Sequence, residues 1–267
     1  MRSRTTTRAR KRFGQHFLEP AWVDKVIRAI DPKPDERFIE IGPGRGALTR
    51  PLAARVRHVV AYEIDRDLAA ALAAEALPNV TIVPGDFLDT IDRERPGGAV
   101  RVAANLPYNV ASPILFKVVE LCSRGVPVVD ATVMLQREVA DRLVARPGTK
   151  DYGVLTVLIG HSAEVTRVLD LPPGAFRPAP KVRSAVVRLR FHAPEPPVRD
   201  PRAFEALVRG AFTWRRKTLA NALARHLGSD PTAAHGILAR AGIDGGRRPE
   251  TLTIAEFATL ADARVSR

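Results

Sequence analysis

Cysteine is almost missing from this chain: 267 residues contain one, Cys122. A single thiol cannot form an internal disulfide, and no Cys/His cluster of the kind that holds zinc accompanies it. Cys122 lies in the apolar stretch FKVVELC and reads as a small buried hydrophobe in a reducing compartment. Long apolar runs are missing as well. None approaches the roughly 18 residues needed to cross a bilayer, which argues against a membrane partner. The N-terminus, MRSRTTTRARKRFGQHF, has no apolar core of the signal-peptide type. A transit peptide would share its basic, Ser/Thr-rich character, but the folded pattern begins almost at once, at Phe13. No internal repeat is present. Acids are scarce: 29 Asp and Glu stand against 42 Lys and Arg, a net charge of +13. The shortage is local too, because Arg2, Arg4, Arg8, Arg10, Lys11 and Arg12 crowd the N-terminus without one acid among them. A second cluster is Arg215-Arg216-Lys217. Clustered positive charge favours a polyanion, nucleic acid before an acidic membrane surface.

From about residue 37 to 136, short apolar runs alternate with amphipathic stretches. RFIEIG, HVVAYEI, VTIVPGD, VRVAAN and DATVMLQ predict strands buried on both faces. ALTRPLAARV, RDLAAALAAEAL and ASPILFKVVELC predict helices, with Pro113 tolerated in the first turn of the last. Such alternation predicts an α/β fold: a parallel sheet covered by helices on both faces, with ligands beyond the carboxyl ends of its strands. Further on, AEVTRVLDL and SAVVRLRF predict an antiparallel pair at the sheet's edge. HAPEPPVRDP predicts a linker over 193–200. Residues 201–267 carry helical patterns (FEALVRGAF, KTLANALARHL, AAHGILARAG, IAEFATLADARV) and predict a small all-α domain. The expected division is a basic arm (1–12), an α/β domain (13–192), the linker (193–200) and a helical domain (201–267).

FIEIGPGRGALT places Gly42, Gly44 and Gly46 between the first strand of this series and a helix, where glycine lets backbone approach a ligand closely. Glu63 ends the second strand about 20 residues later, where an acid typically binds ribose hydroxyls. Asp86 ends the third, positioned to accept from an adenine amino group, with Phe87 beside it to cover the ring. These residues point to an adenosine cofactor and do not separate NAD from another. The strand VRVAAN then runs into Leu106-Pro107-Tyr108-Asn109, an abrupt change from buried strand to an amide, a proline and an aromatic.

Asn105-Leu106-Pro107-Tyr108 resembles the Asn-x-Pro-Tyr motif of S-adenosylmethionine-dependent adenine N6-methyltransferases. GQHFL (14–18), EIGPGRGALT, GDFL, NLPYN, PGTKDYGVLTV, FRPAPKVRSAVVRL and RRKTLANAL stand in the order seen in the small-subunit ribosomal RNA adenine N6-dimethyltransferases. The resemblance covers roughly residues 11–225. It departs at Thr213-Trp214, where that family usually has a small polar residue and Gln.

The resemblance implies a Rossmann-like class I methyltransferase sheet with an antiparallel edge, plus a helical RNA-binding domain. It implies S-adenosylmethionine held by Gln15, His16, Leu18, Gly42, Gly44, Glu63, Ile64, Asp86, Phe87 and Asn105. It places Asn105, Leu106, Pro107 and Tyr108 at the target base, with Phe176 as a second stacking residue. RNA would be held by Arg10, Lys11, Arg12, Lys181, Arg215, Arg216 and Lys217. Adenine N6 is a poor nucleophile because its lone pair is delocalised into the ring. Two acceptors aimed at its hydrogens, the Asn105 side-chain oxygen and the Leu106 carbonyl, would localise that pair. Pro107 would fix the local φ, and Tyr108 would stack the base. The implied substrate is two adjacent adenosines in a hairpin loop near the 3′ end of 16S rRNA, methylated in the cytoplasm by a monomer. The rivals are a large-subunit (23S) rRNA methyltransferase giving macrolide resistance, a ribosome-assembly factor without catalysis and, more distantly, an NAD oxidoreductase.

Overall fold

The computed structural model describes residues 16–92, 97–108 and 110–265. They form two compact units, one running to Ala140 and resumed by Val165–Phe191, the other formed by Asp141–Glu164 with the chain from His192 onward.

The first unit is built on a seven-stranded sheet. Its elements in chain order are β1 (Phe17–Leu18), α1 (Pro20–Ile30), β2 (Arg37–Ile41), α2 (Thr49–Ala53), β3 (His58–Glu63), α3 (Arg66–Ala73), β4 (Val80–Pro84), α4 (Phe87–Thr90), β5 (Val100–Asn105), α5 (Ala111–Ser123) and β6 (Val128–Gln136). After α6 (Arg137–Leu143) and α7 (Val154–Gly160) come β7 (Ala163–Leu171), β8 (Phe176–Arg177) and β9 (Ser184–Phe191). The sheet order is β4-β3-β2-β5-β6-β9-β7. From β4 to β6 the neighbours are parallel, and β9 pairs antiparallel with β6. The five predicted strands and the antiparallel edge are therefore present. The central strands β2, β5 and β6 are buried along nearly their whole length, as parallel strands covered on both faces must be. β7 alternates exposed and half-buried residues, as an outer strand does. Successive strands run outward from β2 in one direction and from β5 in the other, so the order reverses between these two. Open α/β sheets bind ligands at such a reversal, at the carboxyl ends of the strands.

The sequence reading missed α1, although Pro20 occupies its first turn and Val26, Ile27 and Ile30 bury one side. It also missed the two-residue pair β1–β8, in which Leu18 faces Phe176. That pair holds the chain before α1 against the loop between β7 and β9. The predicted helix ALTRPLAARV is shorter than expected, only Thr49–Ala53.

In the second unit, α8 (Pro201–Thr213), α9 (Leu219–Leu227), α10 (Pro231–Ala241) and α11 (Ile254–Val265) pack on one another. Asp200 and Asp230 cap α8 and α10, each accepting two backbone N–H groups ahead of a proline in the first turn. Phe204, Leu207, Val208 and Ala211 give α8 its buried face at helical spacing. The expected boundary needs one amendment, since Asp141–Glu164 also belongs here. The Gly148 N–H donates to the Glu250 carbonyl, and the ring of His161 lies 4.4 Å from that of Phe204. The proline-rich connection is tied to the same segment: the His192 and Glu195 N–H groups donate to the Ser162 and His161 carbonyls. Among the described residues no helix is long and apolar enough to cross a membrane. Cys122 is half-buried, and burial pushes its thiol up to about 11, in line with an inert role.

One charged side chain lies deep in the sheet's opposite end. Arg101 of β5, 7% exposed, forms a two-pronged bond to Asp130 (2.8 and 2.9 Å), pairs with Glu36 (2.7 Å) and donates to the Ile30 and Asp31 carbonyls. It ties α1, β5 and β6 together. Removing one member of a buried network leaves the others desolvated and unpaired. Arg101→Leu should lower unfolding free energy by about 3–5 kcal/mol in a denaturant titration; a loss below about 1 kcal/mol would show that the network holds nothing together.

Candidate active site

The chain leaves β2 in a tight turn. The Gly42 N–H donates to the Tyr62 carbonyl (2.9 Å), and Gly42 and Gly44 adopt φ of +69° and +57°, a region costly for any residue with a Cβ. The turn is braced by Glu63 from the end of β3. One Glu63 oxygen accepts from the Gly44 N–H (2.8 Å) and the other from the Asp65 N–H (2.9 Å). Burial raises the Glu63 pKa, and these two N–H donors act against that shift. Each carboxylate oxygen still has a lone pair to offer.

A second carboxylate shares this wall and was not anticipated. Glu40 is the penultimate residue of β2, 2% exposed, and borders the same cleft as His16, Phe17, Leu18, Gly42, Pro43, Gly44, Glu63, Ile64 and Asn105 through Tyr108. One of its oxygens has no hydrogen-bond partner among the described residues. Burial pushes its carboxyl up to about 8; Thr49 and Arg50 lower it, and the neighbouring Glu63 adds to the rise. A buried, unsatisfied carboxylate is costly unless a cation completes it. Ile64, 46% exposed, adds an apolar surface to the cleft. Hydroxyl acceptors, an apolar face and a buried acid awaiting a cation together suit an adenosine that carries an ammonium group, as S-adenosylmethionine does.

The far wall is the end of β5. Asn105 donates from Nδ2 to the His16 carbonyl (3.0 Å), which commits the nitrogen end of the amide. Its Oδ1 takes up no hydrogen bond among the described residues. The Leu106 N–H continues the sheet pairing to the Met134 carbonyl (2.9 Å), and the Leu106 side chain is buried. Tyr108 is half-buried, its hydroxyl hydrogen-bonded to Ser184 Oγ (2.8 Å). The His16 ring lies stacked beside it, centroids 5.5 Å apart at 26°, with Nδ1 donating to the Pro178 carbonyl (2.7 Å).

Not every expected residue joins this cleft. Gln15, Arg10, Lys11 and Arg12 lie outside the described residues. Asp86 accepts the Leu88 N–H (3.0 Å) as the cap of α4, and neither it nor Phe87 lines the cleft. The Phe87 ring is 3% exposed and meets Tyr62 edge-on at 5.4 Å, so it cannot be the cover for an adenine; Ile64 is better placed. Phe176 does not line the cleft either. Its pairing with Leu18 turns its ring into the core with Ile30, Leu171, Ala175 and Met134, 1% exposed, so it does not sandwich a base here. Lys181 is exposed on the loop between β8 and β9.

In the second unit, Arg215 also departs from expectation. It donates to the Thr149 carbonyl (3.2 Å) and faces Glu250 at 3.8 Å, which makes it a brace. Arg216 and Lys217 are exposed.

Glu40 makes a pH prediction with a definite sign. A carboxyl raised from 4.5 to about 8 on folding contributes stability that is fully present below 4.5 and is lost as pH rises through about 8. Glu40→Gln stays neutral throughout. In the cofactor-free protein it should melt progressively hotter than wild type as pH is raised from about 5 to about 9, read by scanning calorimetry. A difference in Tm that does not change with pH would mean that Glu40 is ionised in the fold.

Comparison with known proteins bears on what this cleft serves. Residues 6–260 match the family model described as ribosomal RNA adenine dimethylase. The "Ribosomal RNA small subunit methyltransferase A" of Aromatoleum aromaticum is 46% identical, over 95% of this chain and 93% of that protein. The protein of the same name from Laribacter hongkongensis is 44% identical, over 95% of each. Among solved structures, a dimethyladenosine transferase from Plasmodium falciparum superposes with a TM-score of 0.75 at 25% identity, covering 92% of this chain and 96% of that one. The 23S rRNA methyltransferase ErmE superposes at 0.65 with 30% identity, covering 92% and 98%. With a match that runs almost from end to end and a glycine turn, paired acids and Asn-Leu-Pro-Tyr segment meeting at one cleft, this chain belongs to the ribosomal RNA adenine dimethylase family.

Proposed function

We propose that this protein transfers methyl groups from S-adenosylmethionine to N6 of two adjacent adenosines in a loop near the 3′ end of 16S rRNA, giving N6,N6-dimethyladenosine. We infer further that it acts as a cytoplasmic monomer on the small ribosomal subunit. The choice of the small subunit is supported by the 46% and 44% identical relatives that carry that name, against 30% identity to ErmE.

The observation that carries the chemistry is the Asn105 amide, whose nitrogen is committed to the His16 carbonyl while its oxygen has no partner among the described residues. Bound S-adenosylmethionine supplies an electrophilic methyl on a sulfonium. Gly42 and Gly44 would give backbone access to it, Glu63 would receive ribose hydroxyls, Ile64 would cover the adenine, Glu40 would pair with the ammonium group, and His16 and Leu18 would close the near side. At the substrate, Asn105 Oδ1 and the Leu106 carbonyl accept from the N6 hydrogens and draw the lone pair out of the ring. Pro107 limits the backbone freedom of that carbonyl. Tyr108 stacks the extruded base, replacing the His16 ring now beside it. No strong base is required, because the amine becomes acidic only once it has been methylated. Fixed in-line placement supplies most of the rate. The monomethylated amine keeps one hydrogen, so either acceptor alone must serve the second transfer.

Incubation with labelled S-adenosylmethionine and immature small subunits, large subunits or naked RNA tests the reading. Label should map to the two loop adenosines of 16S rRNA; label in 23S rRNA alone would overturn it in favour of a large-subunit enzyme. Asn105→Ala should reduce kcat by about 100- to 1000-fold, the scale of losing one preorganised polar group at the reacting atoms, with cofactor Kd within a few-fold of wild type. Loss of cofactor binding instead would reassign Asn105.

A further inference from the structure

The chain has two tryptophans, and they are treated differently. Trp22 packs against the core of the first unit, with the Lys25 ammonium 4.0 Å from its ring centre. Trp214 ends α8 and is 37% exposed. More than a third of this large residue is therefore open to solvent at a helix end, and Thr213 before it only returns its hydroxyl to the Arg209 carbonyl (2.9 Å). Over the Trp214 ring lies the guanidinium of Arg225 from α9, 4.8 Å from the centroid. Arg216 and Lys217, both exposed, follow directly in sequence. Among the described residues none of these three cations is paired with a carboxylate. Arg215, by contrast, is turned inward to Thr149 and Glu250. The result is a part-exposed indole with a cation stacked on it, followed in sequence by two exposed cations.

Aromatic faces set among uncommitted cations are the standard means of holding single-stranded nucleic acid. Bases stack on the ring whatever their identity, and phosphates pair with the charges. We propose that Trp214, backed by Arg225, is a stacking shelf for an unpaired RNA base outside the methylation cleft, with Arg216 and Lys217 on the flanking phosphates. This rests on the reading that ribosomal RNA is the substrate, and it assigns a use to the Thr213-Trp214 departure.

Trp22→Phe leaves Trp214 as the sole tryptophan, so its emission reports the shelf directly. Titration of that full-length protein with a fluorescein-free, single-stranded RNA of about eight nucleotides should quench emission along the binding curve measured separately by anisotropy of labelled RNA. Trp214→Ala should weaken binding about tenfold, the loss appearing in KM for RNA and not in kcat, and Trp214→Phe should restore most of it. The salt dependence should be unchanged by Trp214→Ala, since stacking releases no counterions, and should flatten by about one ion for each of Arg216→Ala and Lys217→Ala. RNA bound with unmoved Trp214 emission, or Trp214→Ala binding as tightly as wild type, overturns the shelf while leaving the methylation reading standing. A wild-type protein that binds no RNA and transfers no methyl overturns both.

Discussion

One hydrogen bond sets the chemistry of the cleft, that from Asn105 Nδ2 to the His16 carbonyl. An asparagine amide has a donor end and an acceptor end, and committing one decides what the other presents. A carbonyl can only accept, so His16 forces the amide nitrogen toward itself and leaves the oxygen for an incoming amine. The bond depends in turn on two long-range arrangements. β5 must end next to β2 at the reversal of strand order, and β1 must pair with β8 to hold His16 to Leu18 over the strand ends. The fold is thus a means of bringing residues 89 positions apart in sequence into one committed amide.

The distribution of charge follows the same division of labour. The chain is strongly basic, yet the cleft wall contains two buried acids, Glu40 and Glu63, and no Lys or Arg among the described residues that line it. Carboxylates there suit a cofactor that brings positive charge. Glu63 is satisfied by backbone N–H groups and stiffens the glycine turn, while Glu40 is left incomplete. Exposed cations stand at Lys181, Arg216 and Lys217, none of which lines the cleft. Excess positive charge in the cleft itself would oppose a cationic methyl donor.

Much of this could be read from sequence. The central strands were legible because burial on both faces leaves an apolar run with no polar alternation, and β2, β5 and β6 show that burial. The Asn-Leu-Pro-Tyr segment was legible because it breaks such a run. What failed has physical causes. VLTVLIG, now α7, is apolar all round and has no helical stripe to distinguish it. Phe87 opens α4 and Phe176 opens β8, and whether each faces outward or inward is decided by tertiary pairing, with Tyr62 in one case and β1 in the other. Glu40 was overlooked because a single acid inside an apolar strand looks like an exposed edge residue until the neighbours cover both faces. Arg215 was grouped with its neighbours because a run of cations does not show which one turns inward.

The central claim is that Asn105 presents oxygen, together with the Leu106 carbonyl, to the target amine. A crystal structure of the protein with S-adenosylhomocysteine and adenosine 5′-monophosphate measures it directly. The account predicts adenine N6 within about 3.2 Å of both Asn105 Oδ1 and the Leu106 oxygen, with Nδ2 still on His16. An amide turned so that Nδ2 faces N6, or an adenine bound with N6 out of reach of residue 105, would contradict it.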